Sequence, residues 1–202
     1  MKLYDYKSAP NPRRVRIFLA EKGVDVPMVQ VDIPTAENRK PPYVDKNPMG
    51  GVPMLELDDG TCIAESVAIC RYFEGLHPDP PLMGRDPKDQ AVVEMWNRRM
   101  ELNFALPVMN AFRHTHEFFK GRIEQVPEFG HSSKRGALKQ MEWLDSVLAD
   151  REFIAGDAFS IADITALVGV DFGRISDIRI SDSQKNLKRW HQAVSSRPSA
   201  KA

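Results

Sequence analysis

The stretch HPDPPLMGRDP, residues 77–87, separates two parts of the chain that follow different patterns. Proline breaks helices and central strands, so a proline-rich stretch of this kind predicts a linker. Before it, strand and helix signals alternate, and beyond it only helical patterns occur. We therefore predict a mixed α/β domain over residues 1–77, a linker over 78–88 and an all-helical domain over 89–202.

The first domain begins with a predicted strand, helix and strand. Residues 2–6 form a short apolar run, and residues 28–33 alternate between apolar and polar side chains. The pattern predicts a helix between them, with Asn11 as N-cap, Pro12 in the first helical position and Gly23 as the C-terminal cap. Such a unit predicts parallel strands joined by a right-handed crossover.

A hairpin and a helix complete this domain. The segment VPMLELDDGTCIAES carries Asp59-Gly60, a strong turn signal, between two short apolar runs. We expect strands over 54–57 and 61–63, followed by a helix over about 65–76.

The second domain shows helical spacing throughout. We predict helices within 88–119, over 133–149 and around 187–194, with Pro107 bending the first. The apolar face predicted for that first window consists of Val92, Met95, Trp96, Arg99, Leu102 and Leu106. Ser160 and Asp163 have the spacing of a capping box, which supports folding rather than chemistry.

Composition excludes several classes of function. Lys and Arg together number 28, as do Asp and Glu, and this neutrality argues against non-specific nucleic-acid or membrane-surface binding. Two cysteines, Cys62 and Cys70, indicate a reducing compartment, and we expect both to be buried packing residues. No apolar run approaches about 18 residues, and the start is too polar for a signal peptide. We expect a soluble cytoplasmic protein.

Four features, in order along the chain, resemble cytosolic, bacterial-type glutathione S-transferases. They are YKSAPNPRRVRIFLAEKG, Val52-Pro53 before a strand, ESVAICRYF after the hairpin, and FIAGDAFSIADI. The resemblance covers nearly the whole chain. It implies a thioredoxin-like N-terminal domain, an all-α C-terminal domain, glutathione as co-substrate without a metal, and a homodimer.

The resemblance also implies which residues bind glutathione. Ser66 and the start of its helix would hold the γ-glutamyl carboxylate, while Glu65 would accept from the ammonium group. A cis Val52-Pro53 bond would present the Val52 backbone to the cysteinyl part. The glycyl carboxylate requires a cation from residues 34–49, where Lys40 is favoured over Arg39 and Lys46.

The group that activates the thiol is left open between two residues. Serine-type members of the family carry a hydroxyl at the position that Ala9 occupies here. Ser8 lies one residue earlier, and Asn11 matches a Pro-Asn pattern in which an asparagine amide points toward sulfur. Both remain candidates for the catalytic donor.

We expect an electrophile pocket between the domains, with Met95, Arg99, Asn103 and Arg113 as candidate lining residues. His114 and His116 do not share a helix face, so we predict no metal site. The leading function is a glutathione transferase acting on small hydrophobic electrophiles. The alternatives are a glutathione-dependent disulfide or peroxide reductase, and a non-catalytic glutathione-binding stress or interaction protein.

Overall fold

The computed structural model describes all 202 residues and divides into two compact units. The first comprises Met1–Leu82 with Lys201–Ala202, and the second comprises Met83–Ala200. None of the helices combines the length and the apolar character that crossing a membrane requires.

The first unit is a four-stranded mixed sheet with helices. Its strands are β1 (Lys2–Asp5), β2 (Met28–Gln30), β3 (Met54–Glu56) and β4 (Cys62–Ala64), in the sheet order β2-β1-β3-β4. Its helices are α1 (Pro10–Lys22), α2 (Tyr43–Lys46) and α3 (Ser66–Leu76). β1 and β2 are parallel, as the crossover predicted, and β3 and β4 are antiparallel, as the hairpin predicted. β3 is also antiparallel to β1.

The start of α1 differs from the prediction. The N-cap is Ala9 in an extended conformation, and the helix begins at Pro10, so Asn11 is the second helical residue. The Ala9 amide donates to the Tyr6 carbonyl at 2.9 Å and closes a turn over residues 6–9. The helix therefore begins two residues earlier than predicted. Pro10 suits the first helical position as well as Pro12 does, because neither has an N–H to leave unbonded.

The second unit is entirely helical. Its α-helices are α4 (Pro87–Met100), α5 (Leu106–Thr115), α6 (Pro127–Val147), α7 (Ile161–Gly173) and α8 (Lys185–Ser195). A π-helical turn, Glu101–Ala105, joins α4 to α5 directly before Pro107. The capping box of Ser160 and Asp163 is confirmed at the start of α7.

The buried face of α4 was predicted wrongly. Val93, Trp96, Asn97 and Met100 are buried, whereas Met95 is 40% exposed. The error arose because Asn97 was not counted as a core residue. The Thr165 hydroxyl donates to its buried amide oxygen at 2.7 Å, which satisfies the oxygen of this polar side chain, whereas its buried amide nitrogen has no hydrogen-bond partner.

Candidate active site

Three predicted site segments lie at one end of the sheet. In the sheet register, Tyr4 is opposite Met54, and Met54 is opposite Ala64. The C-terminal ends of β1 and β4 therefore lie beside the N-terminal end of β3. At this end of the sheet, β1 leads to Ser8, β4 leads to Glu65, and Val52-Pro53 leads into β3. The topology brings together segments that are up to 57 positions apart in the sequence.

The connection from β1 to α1 is held at Lys7, next to Ser8. Gln30 accepts from the Lys7 amide at 3.2 Å, and the Arg16 guanidinium donates to the Lys7 carbonyl at 2.9 Å. Arg16 also forms a buried ion pair with Asp5 at 2.5 Å, and Gln30 donates to that same carboxylate at 2.7 Å. These contacts fix the backbone that leads into the candidate thiol donors.

The first turn of α1 has few backbone donors. Pro10 and Pro12 have no N–H, so Asn11 supplies the only backbone N–H among the first three helical residues. Asn11 is half-buried and Ser8 is exposed. Ala9 is the N-cap of α1, and no side chain makes a capping hydrogen bond there. The Asn11 amide is therefore not occupied in capping the helix.

Ser66 begins α3 and is buried, with 5% exposure. The Arg14 guanidinium, from α1, donates to the Ser66 hydroxyl oxygen at 2.7 Å, and Arg14 is itself 2% exposed. Since that oxygen accepts from Arg14, the hydroxyl hydrogen is directed elsewhere. Ser66 can thus donate to an anion at the start of α3.

Glu65 has a backbone conformation that favours glycine. Its φ is 69° and its ψ is 117°, at the N-cap position of α3, and its side chain makes no capping hydrogen bond. A non-glycine residue in such a region costs about 1–3 kcal/mol and often marks a functional position. The exposed carboxylate is thereby presented beside Ser66.

The Val52-Pro53 peptide bond is cis. Pro53 is buried and Val52 is half-buried, and β3 begins one residue later at Met54. The Val52 backbone therefore precedes the hydrogen-bonded part of the strand.

Four side chains from residues 38–47 hold the segment that leads into Val52. We call these contacts the carbonyl clamp. Asn38 donates to the Gly50 carbonyl at 2.7 Å, and Arg39 donates to that of Met49 at 3.0 Å. Both Tyr43, at 2.5 Å, and Asn47, at 2.8 Å, donate to the Gly51 carbonyl.

Three of the four clamp side chains are buried, and Arg39 is exposed. Asn38, Tyr43 and Asn47 are 7%, 4% and 4% exposed. Burial raises the pKa of Tyr43 to about 12, so its hydroxyl remains a donor. Gly50 has a φ of +60°, and a Cβ there would lie 2.7 Å from the Asn38 carbonyl oxygen, so glycine is required at this close approach.

The three candidate cations have different partners. Lys40 is exposed and donates to the Thr35 carbonyl at 3.1 Å. Arg39 belongs to the carbonyl clamp. Lys46 pairs with Glu56 at 2.6 Å and donates to the Tyr4 hydroxyl at 3.2 Å. Hydrogen bonds from Lys46 and then from Tyr4 lower the pKa of Glu56 to about 2, and Lys46 is thereby held in an ion pair with a carboxylate that Lys2 also approaches, at 3.5 Å.

The candidate electrophile residues separate into two groups. Arg99 and Asn103 line a cleft of about 480 Å³ against α6, together with Gly136, Lys139, Gln140 and Trp143. Met95 and Arg113 do not line this cleft, and both are exposed.

Neither cysteine forms a disulfide. Cys70 is fully buried, and burial raises the pKa of its thiol to about 12, which makes it a packing residue. Cys62 is only half-buried, contrary to the prediction, because β4 is the last strand of the sheet and its residues are partly exposed.

Sequence reasoning missed the residues that position the site. Arg14, Asn38, Tyr43 and Asn47 received no role. The available signal was weak: Arg14 and Arg16 are two positions apart in a predicted helix, so they lie on different faces and cannot both belong to one solvent-exposed stripe. The carbonyl clamp has no sequence signal, since its partners are backbone carbonyls.

Two family models match the chain. Residues 1–75 match the glutathione S-transferase N-terminal domain, and residues 130–198 match the glutathione S-transferase C-terminal domain. The two matched domains, in this order along the chain, place the protein in a class of enzymes that use glutathione.

Three relatives extend the comparison. Glutathione S-transferase 2 of Saccharomyces cerevisiae is 39% identical, over 100% of this chain and 88% of its own. A solved glutathione S-transferase domain-containing protein from Marinobacter aquaeolei superposes with a TM-score of 0.95 at 42% identity, over 98% of this chain and 99% of its own. Maleylacetoacetate isomerase of Pseudomonas aeruginosa is 41% identical, over 81% of this chain and 77% of its own. The chain belongs to the glutathione S-transferase family of enzymes.

Proposed function

We propose that this protein binds glutathione at the shared end of the sheet and activates its thiol for attack on small hydrophobic electrophiles. The observation that carries the proposal is the register of Tyr4, Met54 and Ala64, which gathers three segments able to hold one extended tripeptide. Glutathione offers two carboxylates, one ammonium and one thiol. These segments supply partners for the γ-glutamyl carboxylate, the ammonium and the thiol, and residues 34–49 supply the cation for the glycyl carboxylate.

Ser66 and Glu65 bind the γ-glutamyl end. Ser66 donates its hydroxyl hydrogen to the carboxylate because its oxygen already accepts from Arg14. Glu65 accepts from the ammonium. The Val52 N–H and C=O pair with the cysteinyl backbone in the manner of an added strand.

Lys40 binds the glycyl carboxylate. Among the three candidate cations, Lys46 is held in an ion pair with Glu56 and Arg39 is engaged in the clamp. Lys40 bonds only an exposed carbonyl of its own loop, and it can exchange this contact for a carboxylate at little cost.

Thiol activation requires a modest change in free energy. An unperturbed thiol has a pKa near 8.5, and lowering it by about two units corresponds to roughly 2.7 kcal/mol. A hydrogen bond involving a charged group contributes roughly 1.5–3 kcal/mol, and a helix N-terminus roughly 0.3–1 kcal/mol. One side-chain donor and the start of α1 together meet this requirement.

Asn11 is the favoured donor, with Ser8 as the alternative. Asn11 is half-buried, does not cap the helix and also carries the only N–H of the first three helical residues. Ser8 is more exposed, so water competes for its hydroxyl. Asn11→Ala should lower kcat/KM at pH 6.5 at least tenfold, and Ser8→Ala less than threefold. If both variants keep full activity, thiol activation by this loop is wrong.

Two assays test the function itself. Retention on immobilised glutathione separates a binding protein from a non-binder. Turnover of an aromatic halide, measured beside turnover of a small disulfide, separates the transferase from a glutathione-dependent reductase. A protein that is retained but turns over neither substrate is the non-catalytic binding module.

Isomerisation is a second candidate, supported by the 41% identity to a protein named maleylacetoacetate isomerase. A transferase consumes one thiol for each product formed, whereas an isomerase leaves the thiol count unchanged. Following free thiol during turnover of a cis-configured unsaturated diacid therefore distinguishes the two reactions.

The proposal includes a cytoplasmic homodimer, as the family resemblance implies. Light scattering should give twice the 22.9 kDa mass of the chain. For the electrophile we propose a contact with Met95, whose exposed side chain offers an apolar surface. Arg113 lies 18 positions farther along an almost continuous helical run, roughly 25 Å away at about 1.5 Å per residue, which is too far for the same small molecule.

A further inference from the structure

A further cleft of the helical unit is lined mainly by cationic side chains. It has a volume of about 300 Å³ and lies between the end of α7, the connection that follows it and α8. Its lining includes Arg174, Arg179, Lys188 and His191, with Val170 and Ile180 as apolar walls. All of these residues belong to Met83–Ala200, and none lies in a segment that we assign to glutathione.

The connection that carries Arg179 and Ile180 is fixed to the end of α7. The Ile178 amide donates to the Gly173 carbonyl at 2.9 Å, and the Ile178 side chain is fully buried. A Cβ at Gly173 would lie 3.0 Å from the Ile178 carbonyl oxygen, so the two segments are in close contact. Arg179 and Ile180 therefore follow directly after a buried anchor, which fixes their backbone beside the cleft.

Asp171 aligns two groups of the cleft. Its carboxylate accepts from His191 Nε2 at 2.9 Å, and the Arg174 guanidinium lies 3.7 Å from the same oxygen. Asp171 itself does not line the cleft. The carboxylate thus holds His191 and Arg174 beside each other without adding a negative charge to the lining.

The other two cations form loose ion pairs at the protein surface. Arg179 lies 3.3 Å from Asp177, and Lys188 lies 3.4 Å from Asp182, and both carboxylates are largely exposed. Charge-assisted hydrogen bonds are usually about 2.7–2.9 Å long, and exposed ion pairs contribute about 0–1 kcal/mol. Both cations can therefore exchange these contacts for those of a bound anion at little cost.

The lining favours an anion with several charges. No carboxylate lines the cleft, so Arg174, Arg179 and Lys188 share one concave surface whose low-dielectric walls focus their field. Guanidinium groups bind phosphate oxygens through paired N–H donors, and a lysine ammonium acts beside them as a point charge. A diphosphate places its charges on two adjacent phosphoryl groups. It therefore matches three cations better than a single carboxylate or sulfonate does.

We propose that this cleft binds a diphosphate group, in inorganic pyrophosphate or in a nucleoside diphosphate, at a site separate from that of glutathione. The guanidinium groups of Arg174 and Arg179 donate to the phosphoryl oxygens, and the Lys188 ammonium balances the remaining charge. Val170 and Ile180 form the side against which a nucleoside would lie. Binding involves no chemical step and requires no glutathione.

Calorimetric titration at constant ionic strength, without divalent cations, tests the proposal with pyrophosphate and with ADP. We expect one diphosphate per chain, with a Kd that saturating S-methylglutathione leaves unchanged. Tighter binding of ADP than of pyrophosphate assigns the cleft to a nucleotide, and the reverse order assigns it to the free anion. Adenosine, sulfate and benzenesulfonate should each bind at least tenfold more weakly than the better diphosphate. Equal binding of sulfate or benzenesulfonate overturns recognition of a diphosphate.

Charge-removing variants test the location. Arg174→Gln and Lys188→Gln should each weaken diphosphate binding at least threefold, and both together at least tenfold, whereas Arg174→Lys should bind more tightly than Arg174→Gln. Lys185→Gln is the matched control, because Lys185 is exposed on the same helix and does not line the cleft. It should change the Kd less than twofold.

Thermal unfolding of each variant shows that the fold is kept. Absence of binding by both diphosphates to the wild-type protein overturns the proposal. An unchanged Kd in the Arg174→Gln/Lys188→Gln double variant also overturns it, as does an equal loss in Lys185→Gln, which would indicate attraction to the general surface charge. Competition by S-methylglutathione overturns the separation of the two sites.

Discussion

The Tyr43 hydroxyl donates to the Gly51 carbonyl at 2.5 Å, one residue before the cis Val52-Pro53 bond. This contact joins the buried part of α2 to the backbone that we assign to the cysteinyl part of glutathione. Its contribution can be measured because the hydroxyl can be removed while the ring remains. The ring itself packs edge-on against Tyr4, with centroids 5.6 Å apart.

Tyr43→Phe should raise the KM for glutathione about three- to tenfold and change kcat less than twofold. A hydrogen bond of this kind contributes about 0.5–1.5 kcal/mol net, and its loss loosens the Val52 backbone without touching the thiol donor. Steady-state kinetics at fixed electrophile measure both parameters. Tyr72→Phe, in α3, is the control and should alter neither. An equal fall in kcat would show that the clamp acts on the chemical step instead.

Glu65→Gly should separate stability from binding. Glycine adopts a φ of 69° without strain, which offsets its greater freedom in the unfolded chain. We expect the free energy of unfolding in urea to remain within about 1 kcal/mol of wild type, while glutathione affinity falls at least tenfold. Glu65→Gln, which keeps an acceptor oxygen, should lose less affinity. Unchanged affinity in Glu65→Gly would remove Glu65 from the site.

Arg14 and Ser66 should show strong coupling in a double-mutant cycle. Ser66→Ala should weaken glutathione binding about ten- to a hundredfold, because a hydrogen bond to a charged group contributes roughly 1.5–3 kcal/mol. Arg14→Lys should weaken binding in wild type but by less than twofold in the Ser66→Ala background, since it acts through the Ser66 hydroxyl. Thermal unfolding of each variant controls for loss of fold. Additive effects would mean that Arg14 contacts the ligand directly.

Asp163 should contribute stability that depends on pH. Its buried carboxylate accepts from the Ile154 amide, the Trp190 indole, and both the amide and hydroxyl of Ser160, at 2.8–3.3 Å. Burial nevertheless raises the pKa of Asp163 to about 6 from its model-peptide value of 3.8. The native protein therefore binds a proton that the unfolded chain has released between pH 4 and 6.

By linkage, the contribution of Asp163 to the free energy of unfolding decreases as the pH rises from about 4 to 6, and is level above that range. Glu56 acts in the opposite direction, because its pKa is lowered, and its effect fades above its unperturbed pKa of 4.5. The contribution of Asp163 is therefore the difference in slope between wild type and Asp163→Asn. Asp163→Asn should remove this part of the slope in urea titrations. The substitution should also lower the free energy of unfolding by about 2–4 kcal/mol, because the new amide N–H group would face the donors that now bond the carboxylate. The exposed Asp157→Asn is the control, and an unchanged slope in Asp163→Asn contradicts the assignment.

Patterns in the sequence predicted the fold more completely than the geometry of the site. The crossover, the Asp59-Gly60 hairpin and the capping box depend on neighbouring residues, so short patterns specify them. The α4 face was misplaced because burial of Asn97 depends on Thr165, 68 positions away. The N-cap of α1 was misplaced because Pro10 and Pro12 carry the same local signal, and only the hydrogen bond from Ala9 to Tyr6 decides between them.

The carbonyl clamp has a consequence for motion. Its four bonds all close within residues 38–51, so this segment can open as one unit once Tyr43 leaves Tyr4 and Lys46 leaves Glu56, while the strands stay paired. Amide hydrogens there should exchange with solvent together rather than one by one. Binding of glutathione should then slow amide hydrogen exchange along this whole segment. The slowing should include positions such as Asn38, to which no glutathione contact is assigned.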